Sequence, residues 1–164
     1  MGIVRETQRI LRAYKIVPDK RLDQNFIVDV DLLHRMISYA RISEDEIVLE
    51  IGVGLGFLTE LLSQRCKQVI AIEVDPKLVR VLRRRLSNMK NITILQGDVL
   101  RLSIPSFNKV VSAPPYSISS PLLFWLLDRG FKCAVFTFQR EFAERLLTQP
   151  NSRDYGRLSV TTYY

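Results

Sequence analysis

The chain has 164 residues, 47% of them hydrophobic and 25% charged. That is one domain with enough apolar content for a buried core, which excludes a disordered tail, a fibrous repeat and a disulfide scaffold. A net charge of +7 and a pI of about 9.7 favour a polyanionic partner, nucleic acid being the common one, or a generally basic surface. Cys66 and Cys133 are unclustered and read as small core residues in a reducing compartment, so no metal site is expected. No basic-then-apolar leader and no membrane-length apolar run occur, so the expected location is cytoplasmic, with no membrane partner.

Residues 3–14 have the spacing of an amphipathic helix. Ile3, Thr7, Ile10, Leu11 and Tyr14 share one face. Arg5, Arg9 and Arg12 form a stripe on another, either a solvated face or a contact for phosphates. After a loop at Val17-Pro18-Asp19-Lys20, the run Leu22-Asp23-Gln24-Asn25-Phe26 sets polar side chains between two apolar anchors. Asn25 offers donor and acceptor, which suits an amino acid's ammonium and carboxylate; a polar turn ahead of a helix accounts for it equally well. Asp31 is expected to cap the next helix, with Leu32, Leu33, Met36, Ile37 and Ala40 inward. His34, the one histidine, reads as structural.

The apolar run Val48-Leu49-Glu50-Ile51 then leads into Gly52, Gly54 and Gly56, and a helical pattern follows through Leu58, Leu61, Leu62 and Cys66. Strand, glycine turn and helix make the first unit of a Rossmann-like fold; the plain alternative is a glycine turn with no ligand. Phe57 stands where a dinucleotide fingerprint has its last glycine, and no Lys-Ser/Thr pair closes a triphosphate loop. The next apolar run, Val69-Ile70-Ala71-Ile72, ends in Glu73, about 20 positions past the first glycine, where a carboxylate can accept from both ribose hydroxyls. These features point to an adenosine-like ligand without phosphate, and S-adenosylmethionine fits better than NAD.

Asp75-Pro76 starts another helix, with Leu78, Leu82 and Leu86 inward. Arg80, Arg83, Arg84, Arg85 and Lys90 make this the most basic stretch, a solvated face or an RNA phosphate surface. A third strand, Ile92 to Leu95, precedes Asp98, which can accept from an adenine's exocyclic amine or serve as a turn aspartate. A fourth, Lys109 to Ser112, ends in Ala113-Pro114-Pro115-Tyr116. Two prolines stiffen that loop, and Tyr116 can stack on a base taken out of its helix. Ser119 or Ser120 is expected to cap a helix carrying Pro121 in its first turn. Phe131 to Phe138 reads as a fifth strand, apolar on both faces, and Gln139 to Gln149 as a helix with Phe142, Leu146 and Leu147 inward. The alternation gives an α/β sandwich with a parallel sheet.

Seven segments in this order resemble the ribosomal RNA adenine dimethyltransferases, relatives of the erythromycin-resistance methylases. They are Leu22-Asp23-Gln24-Asn25-Phe26, Glu50-Ile51-Gly52-Val53-Gly54-Leu55-Gly56, Ile72-Glu73, Gly97-Asp98, Ala113-Pro114-Pro115-Tyr116, the run from Gln139 to Arg145, and Tyr155-Gly156-Arg157-Leu158-Ser159-Val160. The resemblance implies a Rossmann-like S-adenosylmethionine-dependent methyltransferase fold. In it, a parallel sheet in the order 3-2-1-4-5 has helices on both faces and the ligand between strands 1 and 4. It further implies transfer of two methyl groups from S-adenosyl-L-methionine to N6 of each of two adjacent adenosines in small-subunit ribosomal RNA. Carried over by position, Asn25 and the Ile27 backbone would hold the methionine end, and Gly52 and Gly54 would line the cofactor. Glu73 would take the ribose and Asp98 the adenine amine. Ala113, Pro114 and Tyr116 would form the catalytic loop, with Ala113 also beside the cofactor and Tyr116 stacked on the target base.

Residues 1–28 would be the N-terminal helix and cofactor-covering segment of a single catalytic domain, 1–164, lacking the family's C-terminal strands and helical RNA-binding domain. Asp23 replaces a glycine usual in the family, and Ala113 replaces the asparagine that usually opens the catalytic loop. The second departure is expected to impair methyl transfer while sparing cofactor binding. The competing readings are a ribosome-binding assembly module without chemistry, an amino-methyltransferase for DNA adenine or protein glutamine, and a nicotinamide dehydrogenase.

Overall fold

The computed structural model describes residues 2–163; Met1 and Tyr164, the residue at which the chain stops, lie outside the described residues. Five parallel strands, β1 (Ile47–Ile51), β2 (Gln68–Glu73), β3 (Ile92–Gln96), β4 (Lys109–Ser112) and β5 (Cys133–Phe136), lie in the order β3-β2-β1-β4-β5. Helices α1 (Ile3–Ala13) and α2 (Val30–Ala40) precede the sheet, and α3 (Phe57–Ser63), α4 (Pro76–Arg85) and α5 (Ser119–Leu127) connect strands. Two more, α6 (Arg140–Leu146) and α7 (Arg157–Tyr163), follow β5. The chain leaves β1 toward β2 and β3, then returns to β4 on the other side. Such a reversal opens a crevice beyond the carboxyl ends of the central strands.

Side chains alternate across each strand and divide the core. Val48, Val69, Ala71 and Val111 pack with Leu33 and Met36 of α2, Leu62 of α3 and Leu82 of α4. Leu49, Ile70, Ile72 and Val110 face Leu122 and Leu126 of α5. Burial on both faces is why β1 and β2 read as continuous apolar runs. A third cluster presses Ile10 of α1 and Ile16 against Leu55, Leu78 and Val81, fixing α1 beside α4. At the opposite end of β1, Glu46 accepts from Lys109 at 2.9 Å and Lys132 at 3.2 Å, pinning the starts of three strands. Burial alone would raise that carboxyl, but hydrogen bonds from Lys109, the Ser43 N–H and Lys132 hold it at about 2. Cys66 is buried and its thiol is pushed up to about 11 by burial, as a core residue requires.

Several local expectations are corrected. Asp29, not Asp31, caps α2, accepting from Leu32 N–H at 3.0 Å. Neither Ser119 nor Ser120 caps α5: a 3₁₀ turn, Tyr116–Ile118, runs straight into it. Strand β5 is shorter than Phe131–Phe138 and only half-buried, because it pairs with β4 alone. Helix α6 ends at Leu146, which leaves Leu147 78% exposed rather than inward. His34 and Tyr14 are exposed. The element expected to run up to the last residue, left untyped from sequence, is a helix, α7, over Arg157–Tyr163. Among the described residues no helix is long and apolar enough to cross a membrane.

Candidate active site

A cavity of about 440 Å³ opens at the carboxyl ends of β1 to β4. Its wall contains Asn25, Ile27, Gly52, Gly54, Glu73, Asp98, Ala113, Pro114 and Tyr116, so the structure brings together every site residue expected from sequence. Three of them end strands or follow them directly: Gly52 after β1, Glu73 at the end of β2, Ala113 after β4.

The glycine bend has a different immediate cause from the one its motif suggests. Gly52 has φ +71°, and a Cβ there would stand 2.9 Å from Pro115 Cδ and 3.5 Å from Pro114 Cα. Gly54 has φ +61°, and its Cβ would meet the Phe26 ring at 3.3 Å. The missing side chains therefore admit the proline loop on one side and a covering aromatic on the other. Both residues also need a left-handed backbone that a side chain disfavours.

The rim is acidic. Glu73 is buried, and its two oxygens accept from Gly54 N–H and Asp75 N–H, each at 2.9 Å. Burial raises its carboxyl above the usual range, against the pull of those backbone donors. A carboxylate has about four lone-pair directions, so capacity remains for two further donors. Asp98 accepts from Leu100 N–H at 3.0 Å and is half-exposed. Asp23 also lines the cavity, and Arg21, its one cationic side chain among the described residues, is already paired with Asp19 at 2.8 Å. In a chain of net charge +7 this is a local inversion. It disfavours a pyrophosphate and suits a cationic or neutral nucleoside.

Glu50 is the functional candidate that sequence reasoning missed. It is 2% exposed, and burial pushes its carboxyl up to about 8, with the neighbouring Thr59 hydroxyl pulling the other way. Among the described residues Glu50 Oε2 and Thr59 Oγ1 are buried without an aligned hydrogen-bond partner. Glu50 lines a small cavity of about 40 Å³ under the glycine bend, together with Asn25, Ile27, Gly52 and Ala113, which also line the larger one. A buried carboxyl with one oxygen unpartnered, on a cavity wall shared with Asn25, is the complement of an ammonium group. The available signal was an acid in the interior of an apolar strand.

The segment before α2 closes the cavity. Gln24 accepts from Asp19 N–H at 2.9 Å and donates to Asp75 Oδ2 at 2.8 Å, tying the segment to the start of α4. Asp23 has φ +50° and ψ +39°, the conformation in which a glycine is easiest to place. Its Oδ2 accepts from Ser117 N–H at 3.2 Å, and its Oδ1 from Asn25 Nδ2 at 3.2 Å. The aspartate thus keeps the turn and adds a link to the proline loop. On that loop Tyr116 is 36% exposed at the mouth. Among the described residues the Pro114 carbonyl accepts no hydrogen bond.

Comparison with known proteins agrees with this geometry. The curated probable ribosomal RNA small subunit methyltransferase A of Methanosarcina barkeri is 47% identical over 155 residues, covering 94% of this chain and 54% of the relative. The chain thus spans about half the length of the curated relatives it matches. Among solved structures, a dimethyladenosine transferase from Plasmodium falciparum superposes with a TM-score of 0.77 and 37% identity over 81% of this chain and 50% of that one. The 23S rRNA methyltransferase ErmE gives 0.72 and 36%, over 84% and 55%. The family model described as ribosomal RNA adenine dimethylase matches residues 18–164, from the covering segment through the carboxylate rim and the proline loop. By that match, and by the strand order and rim it spans, the chain belongs to the ribosomal RNA adenine dimethylase family.

Proposed function

We propose that this domain binds S-adenosyl-L-methionine in the acidic cavity and directs methyl transfer to N6 of adenosines in small-subunit ribosomal RNA. One observation carries the reading: the Ala113–Tyr116 loop is seated on Gly52, so a base presented by Tyr116 and a nucleoside held by Glu73 and Asp98 would share one wall. The donor set fits the cofactor. Glu73 has acceptor capacity for two ribose hydroxyls, and Asp98 for an exocyclic amine. Asn25, the Ile27 backbone and the unpartnered Glu50 carboxyl surround the place for an amino-acid end. Gly52 and Gly54 line the intervening wall and let Pro115 and the Phe26 ring close in on it. When bound, the cofactor supplies a methyl group activated on a sulfonium.

The chain's own residues do the rest by positioning. Tyr116 offers a ring face to an extruded adenine, and the rigid prolines keep that face fixed. The Pro114 carbonyl accepts one N6 hydrogen, which helps turn the nitrogen lone pair out of the ring. A second acceptor would hold the other hydrogen; Ala113 has no polar side chain to supply it. Loss of one preorganised hydrogen-bonding group of this kind costs about 2–4 kcal/mol, roughly 100- to 1000-fold in rate. The domain is therefore a competent cofactor binder and a slow methyltransferase. The same alanine favours a second reading, a ribosome-binding assembly module without turnover.

Methyl incorporation into small-subunit ribosomal RNA from labelled cofactor, measured for the chain and for Ala113→Asn, tests this. Faster transfer by the variant is expected. Equal rates would remove the role given to position 113, and absence of calorimetric heat with the cofactor or its demethylated product would remove the whole reading.

A further inference from the structure

We propose that the seam between α1 and α4 is a second docking surface, outside the cavity, for the phosphodiester backbone of RNA. The inference rests on RNA being the partner, as above. Arg5, Arg9 and Arg12 lie along α1 at i, i+4 and i+7, and Lys77, Arg80 and Arg84 along α4 at i, i+3 and i+7; all six are exposed. Ile10 of α1 shares a buried cluster with Leu78 and Val81 of α4, which sets the two stripes on neighbouring helices. One cation of each stripe, Arg9 and Arg84, lines a surface depression between the helices, together with Tyr14 and Arg85.

Two of the nearby guanidiniums have structural duties. Arg9 is held by both oxygens of Glu6, at 2.6 and 2.8 Å. Arg85 pairs with Glu60 at 3.4 Å, donates to the Leu55 carbonyl and stacks 4.7 Å from the Phe57 ring. Among the described residues Arg5, Arg12, Lys77, Arg80 and Arg84 have no carboxylate within ion-pair distance. A face built for solubility intersperses both signs; here five cations stand free of carboxylates, and the acids beside them, Glu6 and Glu60, are taken up by Arg9 and Arg85. Guanidinium forks match phosphate oxygens in shape as well as charge.

The cavity adds a second reason. Its rim carries Asp23, Glu73 and Asp98, so it repels the polyanion whose base it would receive. Attraction for the backbone therefore calls for a surface outside the cavity. Helix α4 begins just after Asp75, which Gln24 holds and which follows the cavity-lining Glu73 and Val74, and its stripe runs about 10 Å along the helix from Lys77 to Arg84. None of the six cations lines the cavity.

The test compares the chain with the triple variant Arg12→Gln, Arg80→Gln, Arg84→Gln and with its Arg→Lys counterpart. Binding of a labelled RNA oligonucleotide carrying two adjacent adenosines is titrated by fluorescence polarisation over a range of salt. Cofactor binding, followed by calorimetry, reports that the fold and the cavity are intact. The glutamine variant should lose about tenfold or more in RNA affinity and flatten the log–log salt slope by about 2, while cofactor affinity is unchanged and the lysine variant keeps the slope. If the triple variant is poorly folded, Arg84→Gln alone should still flatten the slope by about 0.7. Wild-type affinity and slope in the glutamine variants would overturn the proposal. So would displacement of RNA by poly-glutamate as readily as by unlabelled RNA, which would assign the seam to an acidic polypeptide. A wild-type chain that binds no RNA at any salt would instead refute the RNA reading itself, and this surface with it.

Discussion

Replacing Glu50 by glutamine tests the proposed cofactor cradle most directly. The amide keeps the shape of the side chain and removes its titration. Burial raises the carboxyl from 4.5 to about 8 in the folded chain. The folded state therefore holds a proton that the unfolded state gives up. The associated stability is fully present below pH 4.5 and is lost as pH rises through 8. Between those limits the loss is about 1.4 kcal/mol per pH unit, so it reaches about 3 kcal/mol at pH 7 and levels off near 5 above pH 8. Urea unfolding of both proteins across this interval should show the variant gaining on the wild type by those amounts as pH rises. Parallel curves would refute the assignment of a neutral buried carboxyl.

Ligand binding gives a second readout at the same position. With a pKa of about 8, Glu50 is about nine-tenths protonated at pH 7. An ammonium placed beside it favours the carboxylate, so cofactor binding should release close to one proton. Calorimetry in two buffers of different ionisation enthalpy measures that release. The glutamine variant should release none and bind about tenfold to hundredfold more weakly, the worth of a hydrogen bond to a charged group. Equal proton release in both proteins would place the ammonium elsewhere.

Four further outcomes are expected. Ala113→Asn should raise methyl transfer by roughly 100-fold with little change in cofactor affinity, read by labelled-methyl incorporation and calorimetry. Gly52→Ala sets a Cβ 2.9 Å from Pro115 Cδ on a backbone of φ +71°. It should lose about 1–2 kcal/mol from the backbone alone and more from the displaced loop, seen as a lowered Tm. Asp23→Ala keeps a left-handed residue but loses the links to Ser117 and Asn25, whereas Asp23→Gly loses the links and relieves the backbone. Urea unfolding should find the alanine variant the less stable by about 1 kcal/mol, and the reverse order would contradict the turn's geometry. Glu46→Gln leaves Lys109 buried without its carboxylate and should cost about 3–5 kcal/mol at neutral pH. Because the Glu46 pKa is depressed to about 2, that contribution is present above pH 4.5, and the two unfolding curves should converge as pH falls through 2.

The parts of the fold readable from sequence are those whose pattern has a local cause. Strands β1 and β2 are buried on both faces, so each shows as an apolar run, and acids at or just past strand ends mark the rim at Glu73 and Asp98. What escaped depends on distant contacts. Asp29 and Asp31 are equally good capping types, and only the direction of chain entry selects the first. The length of β5 is set by its single neighbour, β4, which the residues of β5 do not encode. Gly52 reads as bare for a ligand, yet Pro115, far along the chain, fills the space. Glu50 reads as one polar residue in a strand, and its significance lies in what surrounds it: Thr59, the glycine bend and a small cavity shared with Asn25.

These long-range contacts make the two halves of the cavity one mechanical unit. Gly52 bears on Pro115, Asp23 holds Ser117, Phe26 covers Gly54, and Gln24 anchors the same segment to Asp75. The walls proposed for the cofactor and for the base are therefore joined twice, once through the sheet and once through the covering segment. A change at Asp23 should then act on the orientation of Tyr116 as well as on cofactor retention. In an enzyme that works by positioning, a loss of alignment lowers the maximal rate more than it weakens binding. For Asp23→Ala, placed in a background carrying Ala113→Asn so that turnover is measurable, kcat should fall by a larger factor than KM for the cofactor rises. A variant that raised only KM would mean the covering segment serves the cofactor alone and that the proline loop is held by Gly52 without help.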